Sequence, residues 1–271
     1  MPERDTNGVK IYYTEQGSAG GGGGAQKPPL VLVHGFPLDA RMWDAQVGAL
    51  ARDRRVIAPD LPGFGRSKSD APFTVASLAD SLHALLSAVG AIPCVLAGLS
   101  MGGYMALAYV KKYAADLRGL VLIDTKAEPD TAEGKQGRDK MIELARKEGA
   151  KAVADQMMPK MLAKDAPDQR PQVARQLRQI MESCPATTIA HALAAMRDRP
   201  DRSGELAAIK VPTLILVGDA DAITPPAVAQ SMADKIPGAQ LVTIRGAGHM
   251  SPMEQPEQVN RAIMSFLGRI E

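Results

Sequence analysis

Cysteine is nearly absent: Cys94 and Cys184 are the only two in 271 residues, so no disulfide framework and no cysteine-built metal site hold this chain together. Charge of one sign is scarce as well. Lys and Arg number 32 against 30 Asp and Glu, a formal net charge of +2, and no basic tract stands out. That pattern excludes electrostatic capture of nucleic acid or of a membrane surface. No apolar run is long enough to span a bilayer, and the start, Met1-Pro2-Glu3-Arg4-Asp5, is polar and leads straight into a strand at Val9 to Thr14. Without a signal-peptide pattern, the expected location is cytoplasmic. Histidine is rare too, with His34, His83, His191 and His249 as the full set. No metal-ligand cluster can be assembled from so few, and no cofactor is expected.

Against that background one pentapeptide carries chemistry. Gly98-Leu99-Ser100-Met101-Gly102 lies between the apolar run Pro93 to Ala97 and a helical pattern from Gly103 to Tyr113. A residue that joins a strand to a helix with no intervening loop is forced into strained backbone angles, and small neighbours must relieve the crowding. Gly98 and Gly102 are those neighbours. The turn lifts the Ser100 hydroxyl off the sheet edge, while the helix behind it aims N–H groups and positive dipole at any negative charge forming there. By chance alone G-x-S-x-G arises in roughly one chain in ten of this length. The flanking strand and helix, with an acid and a base downstream, are what give it meaning.

Thr213 to Val217 reads as a second buried strand ending at Gly218-Asp219-Ala220-Asp221, and Leu241 to Ile244 leads into Arg245-Gly246-Ala247-Gly248-His249. In an open parallel sheet the carboxyl ends of strands face one side, so these loops converge on the crevice that holds Ser100. An imidazole near neutral pKa takes the serine proton and returns it to the leaving group; a carboxylate fixes its tautomer. Asp221 is preferred over Asp219 because a few residues of loop are needed to reach the histidine, and Asp219 then serves the turn. Asp124, closing the strand Gly119 to Ile123, is the second candidate. His83 and His191 fall within helical stretches and read as structural. His34 follows the strand Leu30 to Val33, and its His-Gly turn exposes the Phe36 N–H. With the Met101 N–H, that amide forms a candidate oxyanion hole.

Apolar runs at Leu30 to Val33, Val56 to Ala58, Cys94 to Ala97, Leu120 to Ile123, Leu214 to Val217 and Leu241 to Ile244 alternate with helical periodicity, the mark of stacked βα units with helices on both faces. Ser18 to Ala25, with five consecutive glycines, is expected to be a flexible hairpin loop; Gln26-Lys27-Pro28-Pro29 after it opens no helix, which rules out a phosphate cradle. From Lys126 to Leu206 the βα rhythm stops. Helices broken at Pro159, Pro167, Pro171, Pro185 and Pro200 replace it, with Met141, Met157, Met158, Met161, Met181 and Met196 spaced to line an adaptable pocket or to pack the helices. Met157, Met161 and Trp43, on a helix Arg41 to Ala51, are the candidate substrate contacts. Arg197-Asp198-Arg199-Pro200-Asp201 reads as a hinge held by ion pairs.

Five spaced motifs now stand in order: Leu32-Val33-His34-Gly35-Phe36-Pro37, Asp60-Leu61-Pro62-Gly63-Phe64-Gly65-Arg66-Ser67, Gly98 to Gly103, Val217-Gly218-Asp219-Ala220-Asp221 and Gly246-Ala247-Gly248-His249. In these the chain resembles the α/β-hydrolases. Its stretch His34 to Trp43 is most similar to the small esterase, cofactor-free haloperoxidase and enol-lactonase group. The resemblance implies a mostly parallel eight-stranded sheet whose first pairs are antiparallel, with the nucleophile on strand five and an inserted helical cap after strand six. It places a core domain at 1–125 and 207–271 and the cap at 126–206. Serine rather than aspartate at position 100 argues against dehalogenase chemistry. The implied activity is hydrolysis of a small-molecule carboxylic ester through an acyl-enzyme on Ser100. A lactone substrate, a peroxide-dependent side reaction and a non-catalytic binding role are the alternatives.

Overall fold

The computed structural model describes residues 2–6, 8–17 and 27–270. The glycine-rich stretch Ser18 to Ala25, expected as a hairpin loop, lies outside the described residues. Eight strands form one sheet: β1 (Glu3–Thr6), β2 (Val9–Gln16), β3 (Leu30–Val33), β4 (Val56–Pro59), β5 (Cys94–Leu99), β6 (Leu117–Ile123), β7 (Thr213–Gly218) and β8 (Gln240–Ile244). Their order across the sheet is β1-β2-β4-β3-β5-β6-β7-β8. The β1–β2 and β2–β4 pairs are antiparallel and all others parallel, as the resemblance implies. β1 is the element the sequence pattern does not reveal. Glu-Arg-Asp-Thr carries no apolar alternation, and the strand exists because its backbone pairs with β2 from Glu3↔Tyr12 to Thr6↔Val9.

Alternation along the central strands builds two apolar layers. Val31, Val33, Leu96, Leu120, Leu122, Ile215 and Val217 face one side, and Leu30, Leu32, Val95, Ala97, Val121, Ile123, Leu214 and Leu216 the other. The helices α1 (Asp44–Leu50), α2 (Val75–Ala88) and α3 (Met101–Tyr113) divide between the two faces: α2 and α3 bring Leu78, Leu82, Met105 and Tyr109 to the first layer, and α1 brings Val47 and Leu50 to the second. The predicted helix Arg41 to Ala51 begins instead as a 3-10 turn, Ala40–Trp43, capped by the Asp39 side chain.

Between β6 and β7 lie α4 (Ala132–Met161), α5 (Ala166–Gln169), α6 (Pro171–Glu182) and α7 (Ala186–Arg197), with α4 packed along α7. Four of the five prolines mark helix boundaries: Pro167 and Pro171 at the starts of α5 and α6, Pro185 capping α7, and Pro200 beyond its end. Pro159 does not break its helix. It sits in the last turn of α4, where little helix remains to interrupt, and the real interruption is at Gly149, whose φ of 79° only glycine adopts without strain. The chain closes with α8 (Pro226–Lys235), α9 (Ser251–Glu254) and α10 (Pro256–Leu267), which seals the second layer with Val259 and Ile263. No helix among the described residues is long and apolar enough to cross a membrane. Cys94 and Cys184 are free and buried.

The β5–α3 junction is the tightest point of the fold. Ser100 has φ 52° and ψ −111°, the left-handed half of the map that L-residues avoid at a cost of about 1–3 kcal/mol. A methyl group built on Gly98 would meet the Gly102 carbonyl, and one built on Gly102 would meet the Val33 and His34 carbonyls. Gly103 is equally constrained, pressed on the Thr125 side chain. Gly98→Ala is therefore expected to destabilise the fold by about 1–3 kcal/mol, the cost of overpacking. Urea unfolding checks this, and an unchanged midpoint would show that the junction is not close-packed.

Candidate active site

Strand β5 delivers Ser100, whose N–H donates to the Ile123 carbonyl and whose carbonyl accepts from Thr125 Oγ1, so the turn is pinned from both sides. Strand β7 runs out at Gly218 and positions Asp221; β8 runs out at Ile244 and positions His249. The three side chains meet. His249 Nε2 lies 2.9 Å from Ser100 Oγ, and His249 Nδ1 lies 2.9 Å from Asp221 Oδ2. An ionised carboxylate only accepts, so Nδ1 carries the proton and donates to Asp221; Nε2 is left to accept from the Ser100 hydroxyl. Asp221 also accepts from the Ile223 and Thr224 N–H groups and from Thr224 Oγ1, at 2.6 to 2.9 Å. Thr224 has no signal in the sequence beyond its place three residues after the aspartate.

Burial pulls the His249 imidazole toward its neutral form, but the Asp221 carboxylate outweighs it, and the imidazole titrates above its ordinary 6.5. The same contact works on Asp221: burial raises its carboxyl, and the histidine and Thr224 together bring it below 3.8. Asp124, the second candidate acid, goes elsewhere. It accepts from Gly218 N–H at 2.8 Å and from Ser251 Oγ at 2.5 Å, so it ties the ends of β6 and β7 to the segment after the histidine. Fully buried near the Asp221 charge, it is pushed up to about 7. Asp219 serves the turn, accepting from the Gly246 and Ala247 amides.

The other histidines are accounted for. His34 is buried and its Nε2 accepts from the Leu61 N–H, His83 pairs with Asp116 and stacks on Tyr113, and His191 sits on α7. The Phe36 N–H donates to no protein acceptor among the described residues, and Met101 is the first residue of α3, where helical N–H groups lack an internal partner. A cavity of about 330 Å³ opens over Ser100 and His249, with Phe36 in its wall. Met157 and Met161 line it, as do Met141 and Met196. Trp43 does not: it is wholly buried in the second apolar layer, because the 3-10 turn points its indole inward. A larger hollow of about 680 Å³ lies at the opposite, amino-terminal edge of the sheet, between Leu107, Leu117 and Val211, and holds neither serine nor histidine.

Chain similarity agrees with this architecture. The pattern of the alpha/beta hydrolase family matches residues 30–262. The chain belongs to that family. It is 34% identical over 255 residues to the AB hydrolase superfamily protein YisY of Bacillus subtilis, covering 88% of this chain and 91% of that protein. Among solved structures, a thermophilic esterase from Thermogutta terrifontis, determined with malate bound, superposes with a TM-score of 0.92 at 41% identity over 99% of this chain and 97% of that one. The enol-lactonase of Burkholderia xenovorans LB400 superposes at 0.90 with 28% identity, over 98% and 100%.

Glu254 is a site residue that sequence reasoning missed. Its side chain is wholly buried on α9 and accepts from Gly248 N–H at 2.8 Å and from Ala163 N–H at 2.9 Å, clasping the histidine loop to the end of α4. Burial raises its carboxyl above the usual 4.5. Glu254→Ala would leave two buried donors unpaired, so a loss of about 2 kcal/mol or more in unfolding free energy is expected, with Glu254→Gln intermediate. Denaturant titration of both variants checks the order; equal stability of all three proteins would contradict it.

Proposed function

We propose that this α/β hydrolase cleaves small-molecule carboxylic esters by nucleophilic catalysis at Ser100. The observation that carries the reading is the imidazole of His249 standing at 2.9 Å from both the Ser100 hydroxyl and the Asp221 carboxylate. In the proposed cycle Ser100 Oγ attacks the ester carbonyl carbon as His249 Nε2 takes its proton. The carbonyl oxygen, now negative, accepts from the Phe36 and Met101 N–H groups. Collapse breaks the carbon–oxygen bond to the alcohol, which leaves with the proton held on His249. Water then repeats the sequence on the acyl group and frees the acid. Asp221 holds the imidazole in its donor-to-carboxylate tautomer throughout.

The helices of 126–206 act in this reading as a cap over the nucleophile, with Met157 and Met161 as its apolar lining. The esterase similarity at 41% identity supports the ester assignment. A lactone is the second reading, favoured by the fit to the Burkholderia enol-lactonase. There the alcohol stays tethered to the acyl-enzyme, and the chemistry is otherwise unchanged.

With a short-chain nitrophenyl ester, a burst of nitrophenol stoichiometric with enzyme is expected, and Ser100→Ala and His249→Ala should abolish it. Asp221→Asn should cost about 10,000-fold in kcat, as loss of the tautomer-fixing acid does elsewhere, and Asp124→Asn far less. Loss of equal size in both would move the acid role away from Asp221 alone, and a protein that binds esters without releasing alcohol would be a binding module. The pH dependence follows from the sign of the histidine shift. His249 acts as base only when neutral, and Asp221, Asp124 and Glu254 all favour its protonated form, so kcat/KM should rise with pH through a value above 6.5. A limb centred below 6.5 would contradict the pairing.

A further inference from the structure

One wall of the cavity over Ser100 is built from charge rather than methionine. Asp130, Arg138 and Tyr104 line it together with Ser100 and His249. Asp130 is a single carboxylate facing three cations: Arg138 Nε at 2.9 Å from Oδ2, Arg199 Nη1 at 2.9 Å and Lys126 Nζ at 3.7 Å from Oδ1. Even with the nearby Glu128 carboxylate counted, positive charge is in excess. Lys126 registers the imbalance. Burial, then the Arg199 and Arg138 charges, lower its pKa against the pull of Asp130 and Glu128.

The two arginines on Asp130 are used differently. Arg199 is buried and spent: Nη1 also reaches the Met196 carbonyl, Nη2 reaches the Glu128 carbonyl, and its guanidinium lies 4.2 Å from the centroid of the Tyr104 ring. Arg138 commits only Nε. Its two terminal amino groups have no protein partner among the described residues, and its side chain keeps 24% exposure, on the cavity side of α4. A guanidinium pinned through Nε with both Nη groups open is a pre-oriented fork for a planar anion.

From this geometry we infer that Arg138 selects ester or lactone substrates carrying a second, ionised carboxylate, as in monoesters of short dicarboxylic acids. The inference rests on the hydrolase reading and narrows it. Ser100 takes the ester carbonyl while Arg138 holds the remote carboxylate through paired N–H···O bonds. Arg199 and Lys126 back it by neutralising Asp130, which would otherwise repel the incoming anion.

The experiment compares the monomethyl esters of succinate, glutarate and adipate with neutral methyl esters of matched length, followed by acid release at constant pH. A second arm places the carboxylate on the alcohol side, using acyloxyacetates against the corresponding ethyl esters. The expected result is a higher kcat/KM for the charged member in at least one arm. In Arg138→Ala that charged-to-neutral ratio should fall about 10- to 100-fold, through KM, with Arg138→Lys keeping part of it. Raising the salt concentration should shrink the ratio in the native protein. A preference for neutral esters in both arms, or a ratio unmoved in Arg138→Ala and Arg138→Lys, would overturn the inference while leaving the hydrolase reading intact. Failure to hydrolyse any ester would defeat the hydrolase reading, and calorimetric binding of glutarate to the native protein and to Arg138→Gln would still decide the role of Arg138: tighter binding to the native protein supports it, and equal binding refutes it.

Discussion

The backbone of Ser100, held at a positive φ between β5 and α3, is the constraint from which the site follows. Nothing about a serine favours that conformation. It persists because the surrounding contacts leave no alternative: glycines on both sides abut carbonyls, Ile123 and Thr125 grip the two peptide groups of the turn, and the flanking strand is wholly buried. The stored strain is small beside the packing that holds it. Its effect is to place the hydroxyl at the carboxyl edge of the sheet and the start of α3 directly behind it, so that in the proposed cycle nucleophile and anion stabiliser share one rigid corner.

Three buried carboxylates then divide the work of bringing the other loops in. Asp221 faces the imidazole, and its remaining capacity is filled by Thr224 and the Ile223 amide. Asp124 joins the ends of β6 and β7 to Ser251, and Glu254 joins Gly248 to Ala163. Their surroundings separate them: burial lifts Asp124 and Glu254 above their ordinary ranges, with the Asp221 charge adding to the rise at Asp124, while His249 and Thr224 hold Asp221 below its own. His249 is thereby fixed from both ends of its loop, with one acidic partner on its ring.

Residues whose role is set by chain direction were legible in the sequence, and residues whose role is set by where a helix happens to cross were not. Ser100, Asp221 and His249 each follow a buried apolar run, and a parallel sheet sends all such ends to one side. The antiparallel start comes from the motif resemblance, and the break after β6 from the end of the βα rhythm at Lys126. β1 escaped because backbone pairing, not side-chain pattern, makes it a strand. Trp43 was a reasonable pocket candidate until the 3-10 turn before α1 aimed it inward. Pro159 looks like a breaker in the sequence, yet its effect depends on how many turns of helix remain beyond it. Arg138 and Glu254 are invisible for the same reason: an arginine on a charged helix and a glutamate after a histidine look solvated until the packing of α4 and α9 is known.

The most direct measurement of the central claim is a crystal structure of the protein after reaction with a phosphonate ester. Phosphorus is expected bonded to Ser100 Oγ, with a phosphonyl oxygen accepting from both the Phe36 and Met101 N–H groups and His249 Nε2 facing the leaving-group position. An adduct on any other residue, or a phosphonyl oxygen turned away from those two amides, would contradict it.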